Sequence, residues 1–152
     1  MKHFQAIFLA SAVTLLTLAS PTIRAHGDVP DAPKARHGGQ VRVAGVNNFE
    51  LVVAKVSTDA KENPIVVFVT DRAGTNVSTV GASGTATILA GKTKATVALV
   101  PDGDNRLKGT ANVASTTDMK VVVSIALAGK ASGQARFTPL AIEKDENVGH
   151  KH

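Results

Sequence analysis

The sequence contains no cysteine, tryptophan or tyrosine, and phenylalanine occurs only five times in 152 residues. Without cysteine, a disulfide framework and thiolate chemistry are both excluded, so the burial of apolar side chains has to hold the fold together. With so few aromatic rings, the chain lacks the stacking surface of single-stranded nucleic-acid binders and the aromatic lining usual in a ligand pocket. Valine, isoleucine, leucine and alanine must therefore fill the core.

A concentrated charge of one sign is also lacking. The chain has 17 Lys and Arg residues against 12 Asp and Glu, a formal net charge of +5. Loss of residues 1–25 would leave 15 against 12, or +3, and the remaining basic residues alternate with acidic and hydroxyl residues. Nucleic-acid binders usually concentrate basic residues in a patch. We therefore interpret the charge as favouring solubility and expect no nucleic-acid partner.

The first 25 residues have the pattern of a secretory signal peptide. Lys2 precedes an apolar run over 6–19, and a polar stretch follows that closes on Ala25, the expected cleavage point. The apolar run is shorter than the about 20 residues of a membrane-spanning helix. We expect export to the periplasm and a mature protein that begins at His26 and does not contact the membrane. The alternative is an uncleaved anchor or a buried helix.

Composition divides the remaining chain into three zones. Residues 26–37 contain two prolines and several charges and predict a flexible arm. Residues 38–140 predict a single β-sandwich domain, and 141–152 form a charged tail that contains two histidines. About a hundred residues are thus expected to form the core domain, which is long enough to fold without disulfide bonds.

Short β-branched runs with period-two alternation fill the domain and predict strands. They lie at 40–44, 48–56, 64–70, 85–89, 95–100, 106–113, 120–127 and 135–138. Ala90-Gly91-Lys92 indicates a hairpin connection between two of them. Seven or eight antiparallel strands with frequent turns are typical of an all-β, immunoglobulin-like two-sheet sandwich.

No residues form a recognisable catalytic set. A Ser-His-Asp triad needs a rigidly held histidine, whereas the histidines after residue 25 all lie in the arm, the tail or at their edges. Asp102-Gly103-Asp104-Asn105 suggests calcium, but the twelfth position of an EF-hand loop, which requires Glu, is Val113 here. A strand-connecting turn explains these residues better. We expect a protein that is not an enzyme.

The histidines are the stronger indication of function. His26 would become the new N-terminus, where its α-amine and imidazole can chelate one ion together, and His37 would add a second imidazole. Such nitrogen ligands favour copper(II) by the Irving–Williams order, and zinc(II) also accepts them. His150 and His152 lie two apart and would complete this site or form a weaker second one. The competing interpretation is that all four are merely solvated.

Six segments of the domain together resemble a known group of proteins. They are HGG at 37–39, FELV at 49–52, TDRAG at 70–74, GASGTA at 81–86, PDGDNRL at 101–107 and ARFT at 135–138. Their arrangement resembles small periplasmic proteins of bacterial heavy-metal resistance loci, and the HGG opening is similar to the N-terminal region of heavy-metal efflux adaptor subunits. The resemblance implies a periplasmic β-sandwich that handles copper, zinc, cobalt or cadmium, with His37 matching the histidine of the HGG motif.

The chain departs from the adaptors in lacking their coiled hairpin, and from copper(I) carriers in lacking methionine-rich stretches. Two functional hypotheses follow. One is a non-enzymatic periplasmic protein that sequesters or delivers copper(II) or zinc(II) through its histidines. The other is an interaction module that docks to an efflux adaptor or another envelope protein without binding metal.

Overall fold

The computed structural model describes residues 33–142, and they contain eight strands. The strands are β1 (Gln40–Ala44), β2 (Asn47–Val53), β3 (Ser57–Asp71), β4 (Ser83–Ala90), β5 (Thr93–Pro101), β6 (Arg106–Ser115), β7 (Lys120–Ala126) and β8 (Gly133–Phe137). In this part of the chain, no helix is long and apolar enough to cross a membrane. The predicted signal peptide at 1–25 and His26, His150 and His152 lie outside the described residues.

The eight strands are all antiparallel to their neighbours, so the all-β prediction is confirmed. Their order is β1-β2-β3-β6-β5-β4-β7-β8 in one sheet, where two separate sheets had been expected. The difference arises in β5, which pairs with β4 from Thr93 to Leu99 and then with β6 through Val100 and Pro101. One strand thereby joins the two layers that a sandwich would keep apart.

The sheet curls until its two end strands approach each other, which makes it nearly closed and barrel-like. The Thr138 N–H donates to Gln40 Oε1 at 2.8 Å. At the start of β8, a Cβ on Gly133 would lie 3.0 Å from the Ala44 carbonyl oxygen, so a side chain at this position would crowd the backbone of β1. A side-chain hydrogen bond and a close backbone approach therefore join the first and last strands of the sheet.

Alternation along each strand sends one set of apolar side chains to the inner face. Val121, Val123 and Ile125 of β7 are buried there, as their period-two spacing predicts. Other inner residues with almost no exposed surface are Phe49, Leu51, Ile65, Val67, Val69, Ile88, Leu99, Leu107, Val113 and Phe137. Of the three phenylalanines between residues 33 and 142, Phe49 and Phe137 contribute to this core, whereas Phe68 faces outward from β3.

Both turns singled out in the sequence connect strands. Gly91 and Lys92 join β4 to β5, and Gly91 has a φ of +57°, a conformation that glycine adopts without strain. Asp102 to Asn105 joins β5 to β6. The Asp102 carboxylate, at the start of this second turn, contacts the guanidinium of Arg106, the first residue of β6, at 2.9 Å.

Candidate functional site

The feature that sets the outer surface of β2 and β3 apart is the buried carboxylate of Glu50. Phe49 and Leu51 face the core, so strand alternation turns Glu50 to the opposite, outer face. Outward carboxylates are normally solvated. Glu50 is instead only 6% exposed, because the chain from Arg36 to Gly39 lies over it.

Four hydrogen bonds converge on this carboxylate. The backbone N–H of His37 donates to Oε1 at 2.7 Å and that of Gly39 donates to the same oxygen at 3.1 Å. The Arg36 N–H donates to Oε2 at 3.0 Å, and Nδ1 of the His37 ring lies 2.9 Å from Oε2. Buried carboxylates persist in proteins when such donors replace water. Glu50 therefore attaches the segment before β1 to the face of β2.

The two glycines of the HGG segment make this attachment possible. Gly38 has a φ of +76°, in the left-handed region that favours glycine. Gly39 leaves no space for a side chain, because a Cβ there would collide with the carbonyl oxygen of Leu51. The turn at Gly38 and the close approach at Gly39 together bring the backbone N–H groups of Arg36, His37 and Gly39 to the carboxylate of Glu50. The HGG motif thus has a structural explanation that is independent of any metal.

Burial and hydrogen bonding act on the pKa of Glu50 in opposite directions. Burial acts to raise it, while the His37 ring and the backbone N–H groups of Arg36, His37 and Gly39 act to lower it. The hydrogen bonds together outweigh burial, and the pKa of Glu50 lies below its ordinary value. The carboxylate is consequently ionised near neutral pH and serves as a fixed negative charge beside His37.

The His37 ring is held on two sides. It stacks on Phe68, with ring centroids 3.5 Å apart and planes inclined by 3°. Phe68 is the cross-strand partner of Glu50, so the ring and the carboxylate are positioned by the same register. In the neutral ring, Nδ1–H donates to Glu50 and Nε2 keeps its lone pair. His37 is therefore oriented as metal-binding histidines commonly are, with a carboxylate on one nitrogen and the other available to a ligand.

The surroundings of His37 are positively charged. A cleft of ≈ 160 Å³ adjoins the ring and is lined by Lys34, Arg36 and Arg72 in addition to Glu50. Asn48 also lines it; its side-chain N–H donates to the Asp71 carbonyl oxygen at 2.9 Å, while its buried Oδ1 accepts no hydrogen bond from residues 33–142. Three cations against one carboxylate oppose the approach of a bare cation from this side.

Of the four histidines predicted to bind metal, the described residues include only His37. The proximity of His26, His150 and His152 to it stays a prediction, because all three lie outside the described residues. Between residues 33 and 142 there is no group of three or more His, Cys, Asp or Glu side chains that could hold a metal ion. The His37 environment alone contributes one imidazole and one carboxylate.

Glu50, Phe68 and Asn48 were not identified as site residues from the sequence. A signal was present for Glu50, which is the single charged residue in the otherwise apolar run from Phe49 to Val53 and follows a histidine-glycine motif. Its burial could not be read from this pattern, because it depends on the chain before β1 folding back over the sheet.

Comparison with known proteins adds no relative. No protein-family model matches the chain, and neither a curated protein nor a solved structure is similar to it.

Proposed function

We propose that this chain is a periplasmic binding protein for a divalent metal, copper(II) or zinc(II), in a metal-resistance or efflux system. His37 is the ligand held within the folded domain, and His26, His150 and His152 supply further imidazoles from the segments on either side. The protein sequesters the ion or delivers it to another envelope component. Export through a signal peptide at 1–25 is part of this proposal. The proposal also includes an immunoglobulin-like fold, in which the two layers joined by β5 correspond to the two sheets of a sandwich.

The observation that carries the proposal is the contact between His37 Nδ1 and Glu50 Oε2 at 2.9 Å. A carboxylate on Nδ1 selects the tautomer with a lone pair on Nε2 and makes the imidazole a better donor. Stacking on Phe68 restricts rotation of the ring, which lowers the entropy lost when a ligand is bound. The resemblance of the HGG segment to metal-resistance proteins supports the same residue.

The test is an isothermal calorimetric titration of the metal-free mature protein with copper(II) and with zinc(II). We expect His37→Ala to weaken binding by at least tenfold, and Glu50→Gln, which keeps the size of the side chain, to weaken it by roughly 10–100-fold. Single alanine variants of His26, His150 and His152 report which of them share the ion with His37. Lys34→Ala is the matched control in the same cleft and should not weaken binding.

Two results would overturn the metal-binding proposal. One is a wild-type protein that takes up neither copper(II) nor zinc(II). The other is binding that is unchanged in His37→Ala, because the folded domain would then contribute nothing to the site. Far-UV circular dichroism of each variant separates loss of a ligand from loss of the fold.

The second candidate is an interaction module that docks to an efflux adaptor or another envelope protein. The observation that favours it is the positive charge of Lys34, Arg36 and Arg72 around the cleft, which suits an acidic protein surface better than a cation. In this case the contact between His37 and Glu50 is purely structural. A His37→Ala variant that binds no metal but still restores growth on copper or zinc would favour this function over the first.

A further inference from the structure

A second surface, unrelated to His37, lies on the outer face of β4, β7 and β8. It is an open groove of ≈ 630 Å³. Strand register arranges its side chains in two rows across the sheet, since Thr87 pairs with Val122 and Leu89 with Lys120. Drug-sized ligand sites typically have volumes of about 300–1,000 Å³. The groove is therefore large enough for a small molecule.

The floor of the groove is apolar. Leu89 is a large aliphatic residue with 42% of its surface exposed, and Val122 beside it is half-buried. Both point outward, where strand alternation would ordinarily place polar residues. Covering exposed aliphatic side chains in a concave surface with an apolar group is favourable, because it removes apolar surface from water.

The rim of the groove is cationic. Four basic side chains line it, and they come from four different strands: Arg42, Lys94, Lys120 and Arg136. None of the described residues that line the groove is Asp or Glu. Lys94 and Lys120 flank Leu89 from the two neighbouring strands, since both pair with it across the sheet. Long basic side chains lay their methylene groups along the apolar floor and keep their charges at the edge.

An extended peptide is not well suited to this floor. The floor residues Leu89 and Val122 lie on β4 and β7, and each of these strands has a hydrogen-bonded neighbour on both sides, so their backbone groups are already paired. The third strand, β8, ends the sheet, and β1 lies against its outer edge. Peptide recognition by strand addition requires an unpaired edge. The occupant must therefore be held through an apolar body on the floor and negative charge at the rim.

We propose that this groove binds a single-chain anionic amphiphile, with its alkyl chain on Leu89 and Val122 and its carboxylate or other acidic head group among Lys94, Lys120, Arg136 and Arg42. The charge of the rim matches the head group, and the floor matches the chain. This inference does not depend on the metal proposal, because the groove and the His37 cleft share no lining residue.

The experiment is a calorimetric titration of the mature protein with laurate below its micellar concentration. Dodecanol, which has the same chain length but no charge, and acetate, which has the head group without the chain, are the ligand controls. We expect saturable one-to-one binding of laurate, at least tenfold weaker binding of dodecanol, and no binding of acetate. Equal affinity for laurate and dodecanol would contradict a role for the cationic rim.

Variants locate the binding site. We expect the double change Lys120→Glu and Arg136→Glu to weaken laurate binding by at least tenfold, and Leu89→Asn to weaken it by at least fivefold. Lys108→Glu, a charge reversal at an exposed position of β6 outside the groove, is the control and should change affinity by less than twofold. Since all of these side chains are exposed, the variants should fold, and circular dichroism checks that they do.

Other results would overturn the proposal. If the mature protein binds vesicles of anionic phospholipid but not monomeric laurate, the groove is a membrane-docking surface. If it binds an acidic peptide and not laurate, the rim recognises protein. If laurate binds equally well to the wild type and to the Lys120 and Arg136 double variant, it binds elsewhere. We expect His37→Ala to leave laurate affinity unchanged, because His37 does not line the groove. The failure of one proposal can therefore be told from the failure of the other.

Discussion

The outer face of β2 and β3 and the outer face of β4, β7 and β8 differ in what covers them. On the first, the chain from Arg36 to Gly39 lies over Glu50 and satisfies its oxygens. On the second, Leu89 and its basic neighbours are open to solvent. Both faces arise from the same period-two alternation. Whether an outward residue stabilises the fold or is available to a ligand is therefore decided by what the rest of the chain places on it.

The largest effect should come from removing the carboxylate on the covered face. We expect Glu50→Ala to lower the free energy of unfolding by about 2–4 kcal/mol, because backbone N–H groups lose a charged acceptor and a buried space is left. Urea denaturation measures it. Glu62→Ala, an exposed acid on β3, should change stability by less than about 0.5 kcal/mol. Equal effects would mean that the hydrogen bonds to buried Glu50 contribute no more to stability than an exposed carboxylate does.

Lowering the pH should also reduce the free energy of unfolding, by less than Glu50→Ala does. The lowered pKa of Glu50 means that its stabilising contribution is fully present above its ordinary value of 4.5 and is lost as pH falls through the lowered value. Unfolding free energies of metal-free protein at pH 6, 4.5 and 3 should fall more steeply for the wild type than for Glu50→Gln, which cannot titrate. Parallel curves would show that Glu50 has the same pKa in the folded and unfolded chain.

Two outward apolar residues compare the faces directly. Phe68→Ala removes the surface on which the His37 ring stacks, and we expect a loss of about 1–2 kcal/mol. Val122→Ala, on the open face, should cost less than about 1 kcal/mol, because its methyl groups are only partly removed from water. Thermal unfolding of the two variants under identical conditions gives the comparison, and a larger effect of Val122→Ala would reverse it.

The smallest effect on stability is expected at the rim of the open groove. Lys120→Glu should change the free energy of unfolding by less than about 0.5 kcal/mol, since Lys120 is exposed. Urea denaturation of this variant beside Lys108→Glu tests it. A loss above 1 kcal/mol would show that Lys120 supports the fold and is not a residue reserved for a ligand.

Most of the strands could be predicted from alternation, and the exception is instructive. β1 has the predicted bounds, and in β7 the buried residues are the predicted ones. β3, however, begins at Ser57, seven residues before the predicted start. The added stretch, residues 57–63, is polar and is followed by Pro64, so it has no apolar alternation to detect. It is a strand because it pairs with β6, with a register shift between Ser57 and Lys61.

The candidate site was predictable only in part. His37 was identified from its motif and from the resemblance, whereas Glu50 and Phe68 were not. Their importance depends on cross-strand pairing of β2 with β3 and on the fold-back of residues 36–39, which are contacts between residues distant in the chain. The same holds for the groove, whose basic rim comes from four strands. In the sequence these cations are scattered among acidic and hydroxyl residues, a pattern that indicates solubility and gives no sign of a shared site.

The sequence by itself determined that this domain is all-β, which residues of β2 and β7 face its core and where two of its turns lie, because alternation and glycine or proline placement act over a few neighbouring residues. The tertiary structure alone decided that β5 joins the layers into one sheet, that Glu50 is buried under the HGG segment, and that four separate basic residues surround one apolar groove. These features require strands far apart in the chain to pair or pack together, and local sequence patterns do not determine which strands do so.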